Sequence, residues 1–315
     1  MAGFATNNTD HLIRSNLWST DLKEVLLAET MGLGFVRMLT EFPDGTTLNI
    51  PSIGQAEVLD YVEGQAVRYT AMDTGNFTFT IDQYKSSATY ITNQMKQDSY
   101  VMNQLIASFV PRQARAIAVA MENLIMSLGP NSQTVSALNN INGAPHRFVA
   151  TGTNQVITAS DFAKAKYSLD KAFVPSQNRI AIIDPSAEYA LNTLTNLVSV
   201  QNNPMWDGII TSGLSTGMRF VKSVYGFDVY VSNFLVTGLA ETINTVAVTN
   251  GAANLFFSAA PEVLPFVGNM RQPPKVESEY NKDLQREEYV TTCRYGFKLF
   301  RPENMVVVIS DTSRV

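Results

Sequence analysis

Across residues 98–128 the apolar positions follow a helical period. Ala114, Ile117, Ala118, Met121, Leu124, Ile125 and Leu128 recur at the i, i+3, i+4, i+7 spacing of one face, and Gly129-Pro130 ends the pattern. The spacing predicts a helix in the second half of 98–128, and the whole stretch reads as helical. Proline lacks an amide hydrogen and crowds the preceding turn, so at Pro111 this is either one kinked helix or two helices. A continuous rod of that length spans roughly 45 Å at about 1.5 Å per residue. It is long enough to hold two outlying parts of the chain apart.

On its N-terminal side, residues 1–18 are polar without a period and read as an extended arm. Asp21 and Glu24 resemble a capping box, Leu22, Val25 and Leu26 share a face, and Gly32 with Gly34 ends this short helix. Residues 46–50 and 56–62, separated by a break at 51–54, read as strands, as do Phe77, Phe79 and Ile81 alternating with Thr78, Thr80 and Asp82. Together they predict a long hairpin whose open tip, residues 63–76, contains one basic side chain, Arg68. Such a hairpin in isolation leaves strand edges unpaired; it is either a surface loop or a piece laid on a neighbour.

On the C-terminal side, residues 131–155 read as loop with little strand. Thr158 and Asp161 open a helix with Phe162, Ala165, Leu169, Ala172 and Phe173 on one side. Residues 180–183 form a buried strand, Asp184 caps the next helix, and Pro185 takes its first position, where a missing donor costs nothing. Strands follow near 227–231, 245–248 and 255–257, and no repeat accompanies this mixed α/β region. Residues 275–301 carry 11 charges of both signs in 27 positions, and 305–309 form a fully apolar closing strand. The charged stretch is either a solvated hairpin or a set of charges that pair across a subunit boundary and fix its register.

Composition sharpens one of these alternatives. Charged residues make up 16% of the 315 positions, against about 25% in ordinary soluble chains. A charge-poor surface is what contact with other protein requires, although abundant Asn, Gln, Ser and Thr produce it too. The net charge of −5 argues against a dedicated nucleic-acid binder. No apolar run approaches the roughly 18 residues of a membrane span, and the first residues carry no export or lipidation signal, so synthesis in the cytosol is expected. The single cysteine, Cys293, excludes an internal disulfide framework.

Chemistry is sparse. Residues 213–217 match the G-x-S-x-G elbow around Ser215, yet both histidines, His11 and His146, precede it, whereas a hydrolase of that type places its histidine after the serine. Phosphate-loop, dinucleotide, zinc-protease and calcium-loop motifs are missing. Glu287 and Glu288 are strand neighbours that point to opposite faces and cannot act as an acid/base couple. No catalytic, cofactor or metal residue is assigned.

The order of parts, together with NIPSIGQAEVLDYVEG at 49–64, RIAIIDPSAEYALNTL at 179–194, YGFDVYVSN at 225–233 and RYGFKLFRPENMVVVI at 294–309, resembles the major capsid proteins of tailed bacteriophages. These share the Hong-Kong-ninety-seven fold, an α+β architecture, and the short-tailed phage coats are the nearest likeness. The resemblance implies an N-terminal arm at 1–30, an extended loop with part of a peripheral domain at 31–94, a spine helix at 95–128, an axial domain at 129–262 and the rest of the peripheral domain at 263–315. It implies a structural protein of the virion that assembles in the host cytoplasm, as pentamers and hexamers, into an icosahedral head enclosing double-stranded DNA. Scaffolding, portal and, in some members, cement proteins are its partners. A bacterial nanocompartment shell of the encapsulin type is the alternative. Candidate subunit contacts are Tyr61, Glu63, Arg68 and Tyr69 near the loop tip and Arg271, Glu277, Glu279, Arg286 and Arg294 in the charged hairpin. Some members cross-link through a lysine on the extended loop; residues 57–76 contain none, so no cross-link is expected here.

Overall fold

A computed structural model describes residues 31–40, 45, 47–53, 59–60, 63–66, 74–98, 102–132, 139–193 and 220–312. The expected arm with its short helix, and Tyr61, Arg68, Tyr69 and Ser215, lie outside these residues. In chain order come β1 (Val36–Met38), β2 (Thr47–Ile53), β3 (Thr74–Thr80), β4 (Gln83–Thr92), α1 (Asn93–Asp98) and α2 (Met102–Ser132). They are followed by β5 (Asn140–Ile141), β6 (Ala144–Pro145), β7 (Arg147–Val149), α3 (Ala159–Lys171), β8 (Arg179–Ile183) and α4 (Pro185–Thr193). The chain continues through β9 (Phe220–Val224), β10 (Phe227–Val231), β11 (Leu239–Ile243), β12 (Val246–Ser258), β13 (Phe266–Asn281), β14 (Arg286–Leu299) and β15 (Val306–Asp311).

The long helix is α2. It passes Pro111 unbroken and, contrary to the reading that ends it at 128, continues through Gly129 and Pro130 to Ser132. These two residues serve packing instead of termination. A Cβ on Gly129 would stand 3.0 Å from Leu255 Cδ2, and the Pro130 carbonyl accepts a 2.8 Å hydrogen bond from Arg147 Nη1. That bond occupies one of the carbonyls a helix end leaves open. Ile117, Met121 and Ile125 are buried as their spacing requires, and Met126 is buried beside them.

Two sheets flank this helix. The first has the order β1-β13-β14-β4, with β1 parallel to β13 and the other pairs antiparallel. The second has the order β7-β15-β12-β8-β10-β9, with β11 attached to β12. One core contains Ile117, Met121 and Ile125 of α2, Cys293, Tyr295 and Phe297 of the first sheet, and Ile180, Ile182, Leu255, Phe257, Val307 and Ile309 of the second. The alternate residues Ala181, Ile183, Phe256, Val306 and Val308 pack on the other side of the second sheet against Phe162, Ala165 and Leu169 of α3 and Ala187, Ala190 and Leu191 of α4. The second sheet is thus covered on both faces, which is why its strands are nearly continuous apolar runs.

Three expectations are corrected here. β15, grouped by sequence with the peripheral part at 263–315, lies between β12 and β7 in the second sheet; a strand buried along its whole length needs cover on both faces. The separate strands at 245–248 and 255–257 are one, β12, which crosses Gly251 where a Cβ would come 2.6 Å from Ile309 Cγ2. Pro51 lies inside β2, opposite Asn76, with no break. β2 and β3 form a two-stranded ribbon in which each strand is an edge, and a missing donor is tolerated there.

Buried polar groups fix the joints. Glu122 of α2 accepts hydrogen bonds from Gly32 N at 3.0 and 2.9 Å and from Met31 N at 3.2 Å. Gly32 is required because a Cβ would stand 2.8 Å from Glu122 Oε2. Arg147 of β7, 1% exposed, donates to both oxygens of Glu241 on β11, 4% exposed, at 2.6 and 2.7 Å. The capping residues behave as read: Asp161 Oδ2 accepts from Thr158 N at 2.8 Å, and Asp184 Oδ2 from Ser186 N at 2.9 Å.

Candidate subunit interface

The first sheet has one covered and one open face. On the covered side of β14, Thr291 Oγ1 donates to Gln113 Oε1 of α2 at 2.7 Å, and Cys293 and Tyr295 are buried. Burial pushes the Cys293 thiol up and the Tyr295 hydroxyl up to about 12. Lys96 of α1 pairs with Glu287 on this side, holding α1 to the hairpin and keeping the Glu287 carboxyl low. Asn93 N also donates to Gln285 O at 2.8 Å.

Strand alternation turns the intervening residues outward. Arg286, Glu288 and Arg294 of β14 lie opposite Thr92, Tyr90 and Tyr84 of β4, and Glu277 and Glu279 of β13 lie opposite Val290 and Glu288. Tyr84 and Tyr90 are 63% and 58% exposed. The Arg286 guanidinium sits 4.6 Å from the Tyr90 ring centroid and donates through Nε to Glu288 Oε1 at 2.6 Å. That bond holds the Glu288 carboxyl below the usual range. The result is a flat, mixed aromatic and charged surface with no helix over it among the described residues. It is the composition protein interfaces favour, since Tyr and Arg supply contact area together with directional hydrogen bonds.

Glu277, Glu279, Arg286 and Arg294 therefore come together on one face. Glu277 is engaged by Lys275 Nζ at 2.7 Å, both side chains well exposed, and such a pair contributes little on its own. Glu279 lies opposite Glu288, whose Oε1 already accepts from Arg286 Nε at 2.6 Å and from Asn281 Nδ2 at 3.3 Å. Arg271 does not join this group. It lies at a register shift in β13, and its Nη1 donates to Gly45 O at 3.2 Å, tying the sheet to the root of the ribbon. Glu63 stands exposed in a turn of the loop. Tyr84 and Tyr90, the largest side chains of the open face, were not among the residues read as contacts.

Among the described residues no group of three or more His, Cys, Asp or Glu side chains could hold a metal, and no helix is long and apolar enough to cross a membrane. Glu287 and Glu288 point to opposite faces, one to Lys96 and the other to Arg286.

The model of the family described as phage capsid protein matches residues 76–308. The chain belongs to the phage capsid protein family. Solved structures agree at the level of fold. A Mycobacterium phage Che8 chain is 19% identical with a TM-score of 0.62, covering 89% of this chain and 91% of that one. The chain in the capsid structure of the cyanophage P-SCSP1u is 17% identical with a TM-score of 0.59, covering 89% and 88%. One from the mature capsid of bacteriophage PhiM1 is 12% identical with a TM-score of 0.64, covering 91% and 88%. No curated protein matches the sequence. This capsid protein is a structural component of an icosahedral phage head, made by association of the chain with copies of itself, and the nanocompartment alternative is not favoured.

Proposed function

We propose that the capsid protein tiles the head as pentamers and hexamers by laying the β2–β3 ribbon of one copy over the open face of the first sheet of the next. The observation that supports this is the asymmetry of that sheet. Along β14 one face packs on α2, while Val276 and Tyr280 of β13 stand exposed beyond it, and the other face presents Tyr84, Tyr90, Arg286 and Glu279 to solvent. Among the described residues the ribbon has two unpaired edges and the sheet an uncovered face, and each gains by covering the other.

In this reading residues 1–30 are an arm, 31–94 the extended loop with part of the peripheral domain, α2 the spine, and the second sheet with α3 and α4 the axial domain. Assembly proceeds in the host cytoplasm around a scaffolding protein, with a portal at one vertex and, where present, cement proteins outside. Packaged double-stranded DNA is held without sequence-specific contacts, in keeping with the chain's net charge of −5. The protein performs no catalysis.

The test is co-expression with the scaffolding protein of its phage, followed by electron microscopy. Shells are expected from the wild-type chain, and Tyr90→Ala with Arg286→Ser should lower their yield while leaving the unfolding midpoint of the free subunit nearly unchanged. A wild-type chain that stays monomeric at high concentration with scaffold present would overturn the proposal.

A further inference from the structure

The β2–β3 ribbon leaves the body from a fixed seat. Phe79 of β3 is fully buried in a small core with Ile81 and Val267. A Cβ on Gly296 of β14 would stand 2.7 Å from Thr80 O and 2.9 Å from Ile81 Cα, so the main chain at the end of β3 lies directly on β14 and has no room to slide. This contact is a pivot.

Two residues further out along β3 the hold changes in kind. The Phe77 ring meets Phe300 edge to face, with centroids 4.9 Å apart at 82°. Lys298 Nζ stands 5.0 Å from the centroid of the same Phe77 ring and donates to Thr78 O at 2.6 Å. Lys298 is an exposed residue of β14. A cation–π contact and a hydrogen bond that both meet water add little to global stability. They do restrict direction, because one ammonium is tied at once to a ring and to the main chain of β3. On the side of β2, Arg271 Nη1 donates to Gly45 O at 3.2 Å. Beyond Phe77 the ribbon runs on through Asn76, Gly75 and Thr74 opposite Pro51, Ser52 and Ile53, with no third strand among the described residues. The stretch from Phe79 to Thr74 spans roughly 17 Å at about 3.3 Å per residue, so a swing of about 10° at the pivot displaces Thr74 by about 3 Å. That is enough to lose the geometry of a hydrogen bond to a neighbour.

We propose that Lys298 is a positioning residue for assembly: by clipping Phe77 and Thr78 just beyond the Phe79 pivot, it fixes the angle at which the ribbon is presented to the next copy. This rests on the shell reading above and names a residue that aims the ribbon without lying in the contact itself. Spin labels at Asn76→Cys on the ribbon and Ser86→Cys on β4 report that angle in the free subunit, where the native Cys293 is buried. With Lys298 in place the distance between labels should fall in one narrow distribution. Lys298→Met keeps the stem and loses the ammonium; the distribution should broaden while the unfolding midpoint stays where it was. Lys298→Arg, which also donates to a carbonyl and stacks on a ring, should restore the narrow distribution. In co-expression with scaffold, the yield of closed shells from Lys298→Met should fall by about fivefold, the scale of losing a cation–π contact at an exposed site, with Lys298→Arg close to wild type. A Lys298→Met distribution as narrow as that of the wild type, a broadened one with normal shells, or a shell loss that tracks a lower melting temperature overturns the inference and leaves the shell reading standing. A wild-type chain that never forms shells overturns both.

Discussion

Glu122 offers the sharpest quantitative test of how the chain is held together. Glu122 is 1% exposed and accepts from the backbone of Met31 and Gly32, with no cation among its hydrogen-bond partners in the described residues. Replacing it with leucine leaves two buried N–H groups without acceptors, at about 1–3 kcal/mol each. The change also removes the cost of burying a charge, so we expect a net loss of about 2–4 kcal/mol. Glu122→Gln keeps one acceptor oxygen and should lose about 1–2 kcal/mol. Burial pushes the Glu122 carboxyl above its ordinary range, and the hydrogen bonds from Gly32 and Met31 oppose this without cancelling it. The folded state thus binds this proton more tightly than the unfolded one. The resulting stabilisation is complete below the ordinary carboxylate pKa and is lost as pH rises through the raised folded value. Denaturant unfolding of the free subunit from acid to neutral pH measures both effects. The gap between wild type and Glu122→Gln should widen on acidification. A Glu122→Leu cost below about 0.5 kcal/mol, or a gap that widens as pH rises, would refute the reasoning.

Other substitutions probe separate joints. Arg147→Met strands the buried Glu241 and should cost about 3–5 kcal/mol, while Arg147→Met with Glu241→Leu should recover most of the loss in the same unfolding assay. Gly268→Ala would place a Cβ 2.4 Å from the Phe297 ring and 2.8 Å from Val36 Cγ1; about 1–3 kcal/mol of overpacking should appear as a lower melting temperature. Shells boiled in detergent should run as monomer, since residues 57–76 contain no lysine; a ladder of covalent multimers would show otherwise.

What could be read from sequence was local. The stripe on α2, the α3 capping pair and the Asp184-Pro185 helix start are signals contained within a few residues, and each appears where its spacing puts it. β4 is only faintly marked in QYKSSATYIT, which places Lys85, Ser87, Thr89 and the buried Ile91 on the covered face and Tyr84, Ser86, Ala88 and Tyr90 on the open one. Polar residues interrupt both faces, so its alternation is weak. Phe173 falls four residues after Leu169, the spacing of a shared face, yet the helix has ended and a left-handed turn swings the ring outward. The charged hairpin was legible as a hairpin. Which of its charges stay at home was not, because Arg271 answers to Gly45 and Arg286 to Tyr90, residues far away in the chain.

The place of β15 has a consequence for the making of the subunit. Val307 pairs with Arg147, 160 positions earlier in the chain, so the second sheet has a vacant slot until both segments are in place. Pairings of such long range make folding slow. A chain without β15 lacks the strand that Leu255 and Phe256 lie against and leaves an apolar groove open in its place. Closing that slot then acts as a gate: only a chain with β15 in place has the finished sheet that a building block of the shell needs.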